Sequence, residues 1–304
     1  DDISRVASRP LPVLIQGETG VGKELVAEAI HAASGVEGEL VAMNCGAVPD
    51  GVVESELFGH ERGAFSGADT ARRGLVAAAA GGSLFLDEIG DASPALQVSL
   101  LRLLEQREYR AVGSDVVQTT DTRFITATHV PLETAVAAGR FRRDLCARVQ
   151  RAVIHVPPLR ERREDIIPIA LHLLQAQDPE LRIHRSLALA LLQYDWPMNV
   201  RELAAVLDQA IAEMREPPRL RMSASLAARL GIDASAATSG SSRAASGVGS
   251  SGHAHAGGAG AGSAGGGVDR PEPAELVRRF LACGGRVKDH AEALGASRHS
   301  LYRW

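Results

Sequence analysis

The 304-residue sequence has no basic excess: 33 Lys and Arg stand against 37 Asp and Glu, a net charge of −4. The chain as a whole therefore carries no electrostatic footprint for nucleic acid. Cysteine is scarce. Cys45, Cys146 and Cys283 lie too far apart for any metal-binding spacing. Such usage fits a reduced, cytoplasmic setting and excludes a disulfide framework. No apolar run approaches the roughly 20 residues that span a bilayer, and no signal-peptide pattern is present, so no membrane partner is expected. An initiating Met is lacking too; the chain starts at Asp1 and reads as a fragment or processed form. What remains is an ordinary globular composition, 45% hydrophobic, in a length that allows roughly two or three domains.

Residues 1–156 alternate between short apolar runs and helical patterns. Val13-Leu14-Ile15, Leu40-Val41-Ala42, Leu84-Phe85-Leu86 and Phe124-Ile125-Thr126 suit strands buried on both faces of a parallel sheet. Helices are expected over 24–33 and 94–106; in the second, Leu96, Leu100, Leu103 and Leu104 form one buried stripe. The alternation predicts an α/β core. Pro157-Pro158 interrupts it, and 157–230 reads as a small all-helical lid domain. There Asp165 is expected to cap a helix through Ile166, Ile169, Ala170 and Leu173, with further helices over 187–192 and 200–214. Residues 231–270 are almost all Gly, Ser and Ala and cannot bury enough surface to fold. They predict a flexible linker, with His253 and His255 incidental to it. Residues 271–304 regain helical character in three short stretches; Ser297 is a plausible cap, and the last two resemble a helix-turn-helix pair.

The chemistry concentrates in the first 150 residues. Gly17-Glu18-Thr19-Gly20-Val21-Gly22-Lys23-Glu24 follows a predicted strand and opens a predicted helix. Glycines let backbone N–H groups wrap phosphates, the helix N-terminus adds a favourable dipole, and Lys23 supplies a point charge for the β- and γ-phosphates. Glu24 stands where Ser or Thr is usual, which removes one hydroxyl ligand for Mg²⁺. Leu84-Phe85-Leu86 ends in Asp87 and Glu88. Asp87 suits Mg²⁺ and its water shell; Glu88 can orient and deprotonate an attacking water. The two motifs together point to ATP hydrolysis. The run 139–148 holds Arg140, Arg142, Arg143 and Arg148, cations that either stabilise developing charge or simply solvate a face. Arg201 opens a lid helix from which it could reach the nucleotide. Between the phosphate loop and the acidic strand end lies Gly63-Ala64-Phe65-Ser66-Gly67-Ala68, one aromatic among small residues. It cannot build a core and suits a mobile loop presenting one phenyl ring. Alone it would be an ordinary surface loop; between these motifs it reads as a binding tip that hydrolysis moves.

GETGVGKE, NCGAV, ESELFGHERGAFSGA, GGSLFLDEIG, FRRDLCARV, PPLRERREDI and WPMNVREL, in this order and spacing, resemble the AAA+ domain of bacterial enhancer-binding proteins, the activators of sigma-54 RNA polymerase. The resemblance covers residues 1–230, and the end, GASRHSLYRW, is similar to the Fis-type DNA-binding domain common in that family. It implies that Lys23 binds phosphate, Asp87 serves Mg²⁺ and Glu88 polarises water. It implies that Asn44 couples the catalytic Glu to the loop, Thr128 is the sensor, and Arg142 and Arg148 act on the neighbouring subunit's ATP. Arg201 would be the lid sensor, and Phe65 and Ser66 would contact sigma-54. The family works as a ring, usually a hexamer, on the sigma-54 RNA polymerase holoenzyme. Ser66 replaces the family's usual Thr, keeping its hydroxyl, and Met198 replaces a usual Gly, which is expected to shift the turn before Arg201. Glu24 agrees with the family.

Enhancer DNA would be met at the C-terminus. Residues 270–304 carry seven basic and four acidic side chains, a net +3 on an otherwise acidic chain. Ser297, Arg298, His299 and Ser300 begin the expected recognition helix and Arg303 follows. The chain stops at Trp304, so weak DNA binding is expected of this fragment. Two other readings compete. A generic AAA+ remodeller leaves residues 63–68 and the C-terminal helices unexplained. A DNA-binding regulator with a vestigial nucleotide fold leaves the Phe65 loop unexplained.

Overall fold

The computed structural model describes residues 2–214 and 217–232. The expected linker beyond residue 232 and the DNA-binding helices, with Ser297, Arg298, His299, Ser300 and Arg303, lie outside the described residues. The chain divides into two compact units, Asp1–Pro158 and Leu159–Trp304.

The first unit runs α1 (Asp2–Ala7), β1 (Val13–Gln16), α2 (Lys23–Ser34), β2 (Leu40–Asn44), α3 (Asp50–Phe58), β3 (Gly59–His60), β4 (Arg72–Arg73), α4 (Leu75–Ala78), β5 (Ser83–Asp87), α5 (Pro94–Gln106), β6 (Glu108–Tyr109), β7 (Gln118–Thr119), β8 (Arg123–Thr128), α6 (Leu132–Ala137), α7 (Arg143–Val149) and β9 (Ala152–His155). Five strands form one parallel sheet in the order β2-β5-β8-β1-β9. Strand period divides its side chains between two cores. Leu14, Leu84, Leu86 and Phe124 face the cluster that holds Leu96, Leu100, Leu103 and Leu104 of α5. Val13, Ile15, Phe85, Ile125 and Ala127 face Ala27 and Ile30 of α2. This double burial is why the four strands read as continuous apolar runs. β9 gave no such run, because it lies at the sheet's edge and only Ile154 of it is buried.

Helix α5 begins where sequence chemistry puts it. Ser93 is extended, its Oγ accepts from Leu96 N at 3.3 Å, and Pro94 occupies the first turn where no N–H is needed. Arg123, within the buried strand β8, donates to the carbonyls of Ala7 at 2.8 Å and Val6 at 3.0 Å, at the C-terminal end of α1. A guanidinium there satisfies orphan carbonyls and complements the helix dipole.

The second unit contains α8 (Ile166–Gln177), β10 (Arg182–Ile183), α9 (Arg185–Gln193), α10 (Asn199–Ala212), β11 (Arg219–Leu220) and α11 (Ala224–Arg229). It is helical apart from the short parallel ribbon β10–β11. The expected cap at Asp165 is not formed. A tight turn over Arg163–Asp165 carries helical backbone through Asp165 (φ −81°, ψ −16°), and its carboxylate makes no capping bond. Capping needs an extended residue from which the oxygen can reach back to free N–H groups. Trp196 is fully buried in this unit's core and donates from Nε1 to Leu191 O at 2.8 Å. Among the described residues no helix is long and apolar enough to cross a membrane.

Candidate active site

The turn from β1 to α2 forms a phosphate-sized cradle. Gly20 (φ 80°) and Gly22 (φ 98°) take left-handed backbone that other residues avoid. At Gly17 a Cβ would stand 2.8 Å from the carbonyl oxygen of Val156, so the close approach of backbone requires glycine. Val21 is buried and anchors the loop, while Glu18 and Thr19 are partly exposed. Lys23 opens α2 and is 7% exposed; its Nζ donates to Gly17 O at 3.2 Å, folding back over the loop. Glu24 is exposed in the same turn.

The sheet brings the second motif to this cradle. β5 ends at Asp87, in register with Asn44 of β2. Glu88 follows with φ 51° and ψ 47°, a strained backbone that turns the chain sharply into Ile89–Asp91. Asp87 Oδ1 accepts from Glu88 N at 2.9 Å. Glu88 Oε1 meets Lys23 Nζ at 3.3 Å, and Oε2 accepts from His129, 2.6 Å from Nδ1 and 3.2 Å from the backbone N. Burial would push the Glu88 carboxyl up, but the His129 hydrogen bond, with the charge of Lys23, brings it below the usual carboxylate range. Asp87 goes the other way, raised by burial and then by the charge of Glu88. Burial, then Asp87, Asp91 and Glu88, push the Cys45 thiol up to about 12, so this buried cysteine stays a thiol.

This concentration of carboxylates beside one lysine fits a hard divalent cation such as Mg²⁺, which prefers oxygen ligands and would relieve the repulsion that raises Asp87. Glu88, Asp91 and His129 also each offer a ligand atom, all within 4.8 Å of one another.

Asn44 and Thr128 end their strands near Asp87 but have local partners here. Asn44 Oδ1 accepts from Gly46 N at 2.9 Å and Ala47 N at 3.1 Å. Thr128 Oγ1 accepts from Val130 N at 3.1 Å and donates to Val130 O at 3.2 Å. It is the next residue, His129, that touches Glu88, and sequence reasoning missed it. The available signal was position: β8 lies beside β5, so the residues leaving the two strands emerge together. Arg142 and Arg148 are exposed on α7 and just before it, paired with Asp144 at 2.7 Å and with Glu105 at 3.0 Å. Arg201 belongs to the second unit, exposed in the first turn of α10.

The predicted tip, Gly63 to Ala68, joins β3 to β4. It closes on itself, Gly63 N donating to Ala68 O at 2.8 Å and Ala68 N to Phe65 O at 3.0 Å. Phe65 is 42% exposed, its ring edge-on to His60 at 5.0 Å between centroids, whereas Ala68 is buried. Ala64, Ser66 and Gly67 complete the loop, Gly67 at φ 100°. A second hairpin, β6–β7, was not foreseen. It carries exposed Val116 and Val117, and it is stitched to the first by Val112 N to Gly59 O at 2.8 Å and Glu61 N to Val112 O at 3.0 Å.

The sequence matches the family described as Sigma-54 interaction domain over residues 1–155 and that described as AAA+ ATPase lid domain over residues 160–227. It is 49% identical over 216 residues to Transcriptional regulatory protein ZraR of Escherichia coli (strain K12), an alignment covering 69% of this chain and 49% of that protein. It is 51% identical over 215 residues to Hydrogenase transcriptional regulatory protein HoxA of Cupriavidus necator, covering 69% of this chain and 45% of that protein. The chain thus spans about half the length of the curated relatives it matches. Among solved structures, NtrX from Brucella abortus in complex with ATP is similar with a TM-score of 0.67 and 28% identity, over 99% of this chain and 64% of that one. Hsp104 bound to ATPγS, at 16% identity and a TM-score of 0.51 over 67% of this chain and 40% of that one, shares the fold alone.

Proposed function

This chain belongs to the family of sigma-54-dependent enhancer-binding activators with an AAA+ domain, and on that premise we propose that it hydrolyses ATP with Mg²⁺ to remodel sigma-54 RNA polymerase holoenzyme. The observation that carries the reading is the contact of Lys23 with Glu88 at 3.3 Å. It joins a phosphate cradle to a carboxylate able to act on water. The 17–22 loop would wrap the phosphates and Lys23 would hold the γ-phosphate. Asp87 would hold Mg²⁺, which when bound neutralises charge on the phosphate oxygens. Glu88, kept ionised at neutral pH, would take a proton from water as the water oxygen bonds to the γ-phosphorus and the bond to the β–γ bridging oxygen breaks.

Phe65, the exposed ring of the tip, would engage sigma-54, with Gly63, Ala64, Ser66, Gly67 and Ala68 shaping its loop. Asn44, Thr128 and Arg201 would report the nucleotide's state, and Arg142 and Arg148 would complete a neighbour's site in a ring. Binding of enhancer DNA would fall to the basic residues 270–304, by their composition and the family resemblance.

The test is ATP turnover beside sigma-54 capture in a transition-state-analogue state. K23A should weaken nucleotide binding. E88Q should leave binding intact and cut turnover about 10²-fold or more. F65A should keep hydrolysis within about twofold of the parent and abolish capture. Parent-like turnover by E88Q, or full capture by F65A, would sink the corresponding assignment.

A further inference from the structure

Glu88 is gripped at both oxygens, and the two grips cannot both survive nucleotide binding. Oε1 sits 3.3 Å from Lys23 Nζ, and Lys23 is the charge the phosphate cradle offers to its ligand. A bound γ-phosphate draws Lys23 to itself, since it carries more negative charge than one carboxylate. Glu88 then keeps what holds Oε2: His129 Nδ1 at 2.6 Å and the His129 backbone N at 3.2 Å. We propose that His129 is a positioning residue, which keeps the Glu88 carboxylate aimed once the phosphate has claimed Lys23. The inference rests on the reading of Glu88 as the base.

Several features equip His129 for this. Glu88 is only 17% exposed, and its left-handed backbone already fixes the direction of its Cβ, so the side-chain torsions are what remains to be held. His129 leaves the buried strand β8, whose residue Thr128 pairs in register with Gln16 of β1. Thr128 Oγ1 bonds both N–H and carbonyl of Val130, which locks the turn that presents the imidazole. Across from it, a Cβ on Gly90 would stand 2.8 Å from Thr128 Oγ1, so the turn packs directly on the segment after Glu88. With Nδ1 donating to Oε2, the face of Glu88 left for water is Oε1. The anchor oxygen and the reacting oxygen are thereby separated, and Thr128 acts on the base through its neighbour.

A substitution series at His129 tests this in the whole chain. H129A should lower kcat by up to ~10²-fold, the cost of a small misplacement of a reacting group. Its KM for ATP should stay within about twofold, because ground-state binding does not use the imidazole. H129N should recover most of the rate, since its amide nitrogen lies one bond beyond Cγ, as Nδ1 does. In an E88Q background H129A should add less than about twofold, because a residue that acts through Glu88 has nothing left to aim. His129 is 40% exposed, and unchanged thermal melting of H129A checks that the fold is intact. Parent-like kcat in H129A, a rise in KM alone, or an equal loss with and without Glu88 would overturn the proposal while leaving Glu88 as base. Parent-like turnover in E88Q would overturn both.

Discussion

Met198 takes φ −105° and ψ 17°, a backbone that any residue adopts, and leaves the strain to its neighbours Trp196 (φ 53°) and Asn199 (φ 54°). Those two are held there by specific contacts. Trp196 is buried, hydrogen-bonded to Leu191 O and edge-on to Tyr194 at 5.0 Å; Asn199 Oδ1 accepts from Leu159 N at 2.7 Å. The family's usual Gly at 198 is therefore not a conformational need of this turn. M198G should leave thermal stability unchanged or lower it by up to ~1 kcal/mol through unfolded-chain entropy. N199A should cost ~1–3 kcal/mol, because it orphans a buried N–H and puts a β-carbon without a polar arm in a left-handed site. Stabilisation by M198G in thermal denaturation would show that the turn is strained at Met198 after all. At this scale the sequence is readable where a residue's role is fixed by its neighbours along the chain. Lys23 and Glu88 sit at set places in motifs and meet as expected. His129 carried no such local signal, because its contact with Glu88 spans two strands. Asn44 and Thr128 form bonds within their own turns, which a spacing argument cannot distinguish from a bond to Glu88.

Elements divide in the same way. Strands buried on both faces and the α5 stripe announce themselves through composition and period. The ribbons β3–β4 and β6–β7 have two-residue strands, too short for any period, and they exist because the chain needs a base for the two loops above them. That base is continuous: the hairpins share hydrogen bonds at Gly59, Glu61 and Val112. Phe58 and Tyr109 stack at 6.1 Å between centroids beneath them. Gly113 lies at the junction. Its φ is 81°, and a Cβ there would stand 2.8 Å from Ala64 Cβ, in the tip loop itself. G113V should therefore push the two loops apart and misplace Phe65. Hydrolysis should stay within about twofold of the parent, as the phosphate cradle is untouched, while sigma-54 capture falls as in F65A. Capture at the parent level by G113V would mean that the second hairpin does not position the tip.

At the scale of the whole molecule, one chain supplies a cradle, a base and a base-holder, but its candidate charge-neutralising arginines turn elsewhere. Arg142 is paired with Asp144 and Arg148 with Glu105, both pairs exposed at the surface of the first unit. Exposed ion pairs are weak and exchange readily, so these arginines are available to a stronger anion brought alongside. A neighbour's ATP in a ring is such an anion, and an arginine supplied from outside a site is typically worth about 10³–10⁵ in rate. The site would then be divided, with the base from one subunit and the arginine from the next. Mixing makes this testable with two dead proteins. R148A has a sound base and no arginine to lend; E88Q has a sound arginine and no base. In mixed rings, an interface with R148A as the nucleotide-binding side and E88Q as the lending side contains both good halves. Turnover should rise from near zero for either protein alone to a maximum at intermediate mixing ratios. With ring assembly and subunit exchange confirmed, flat activity at every ratio would place Arg148 in the service of its own chain or of none.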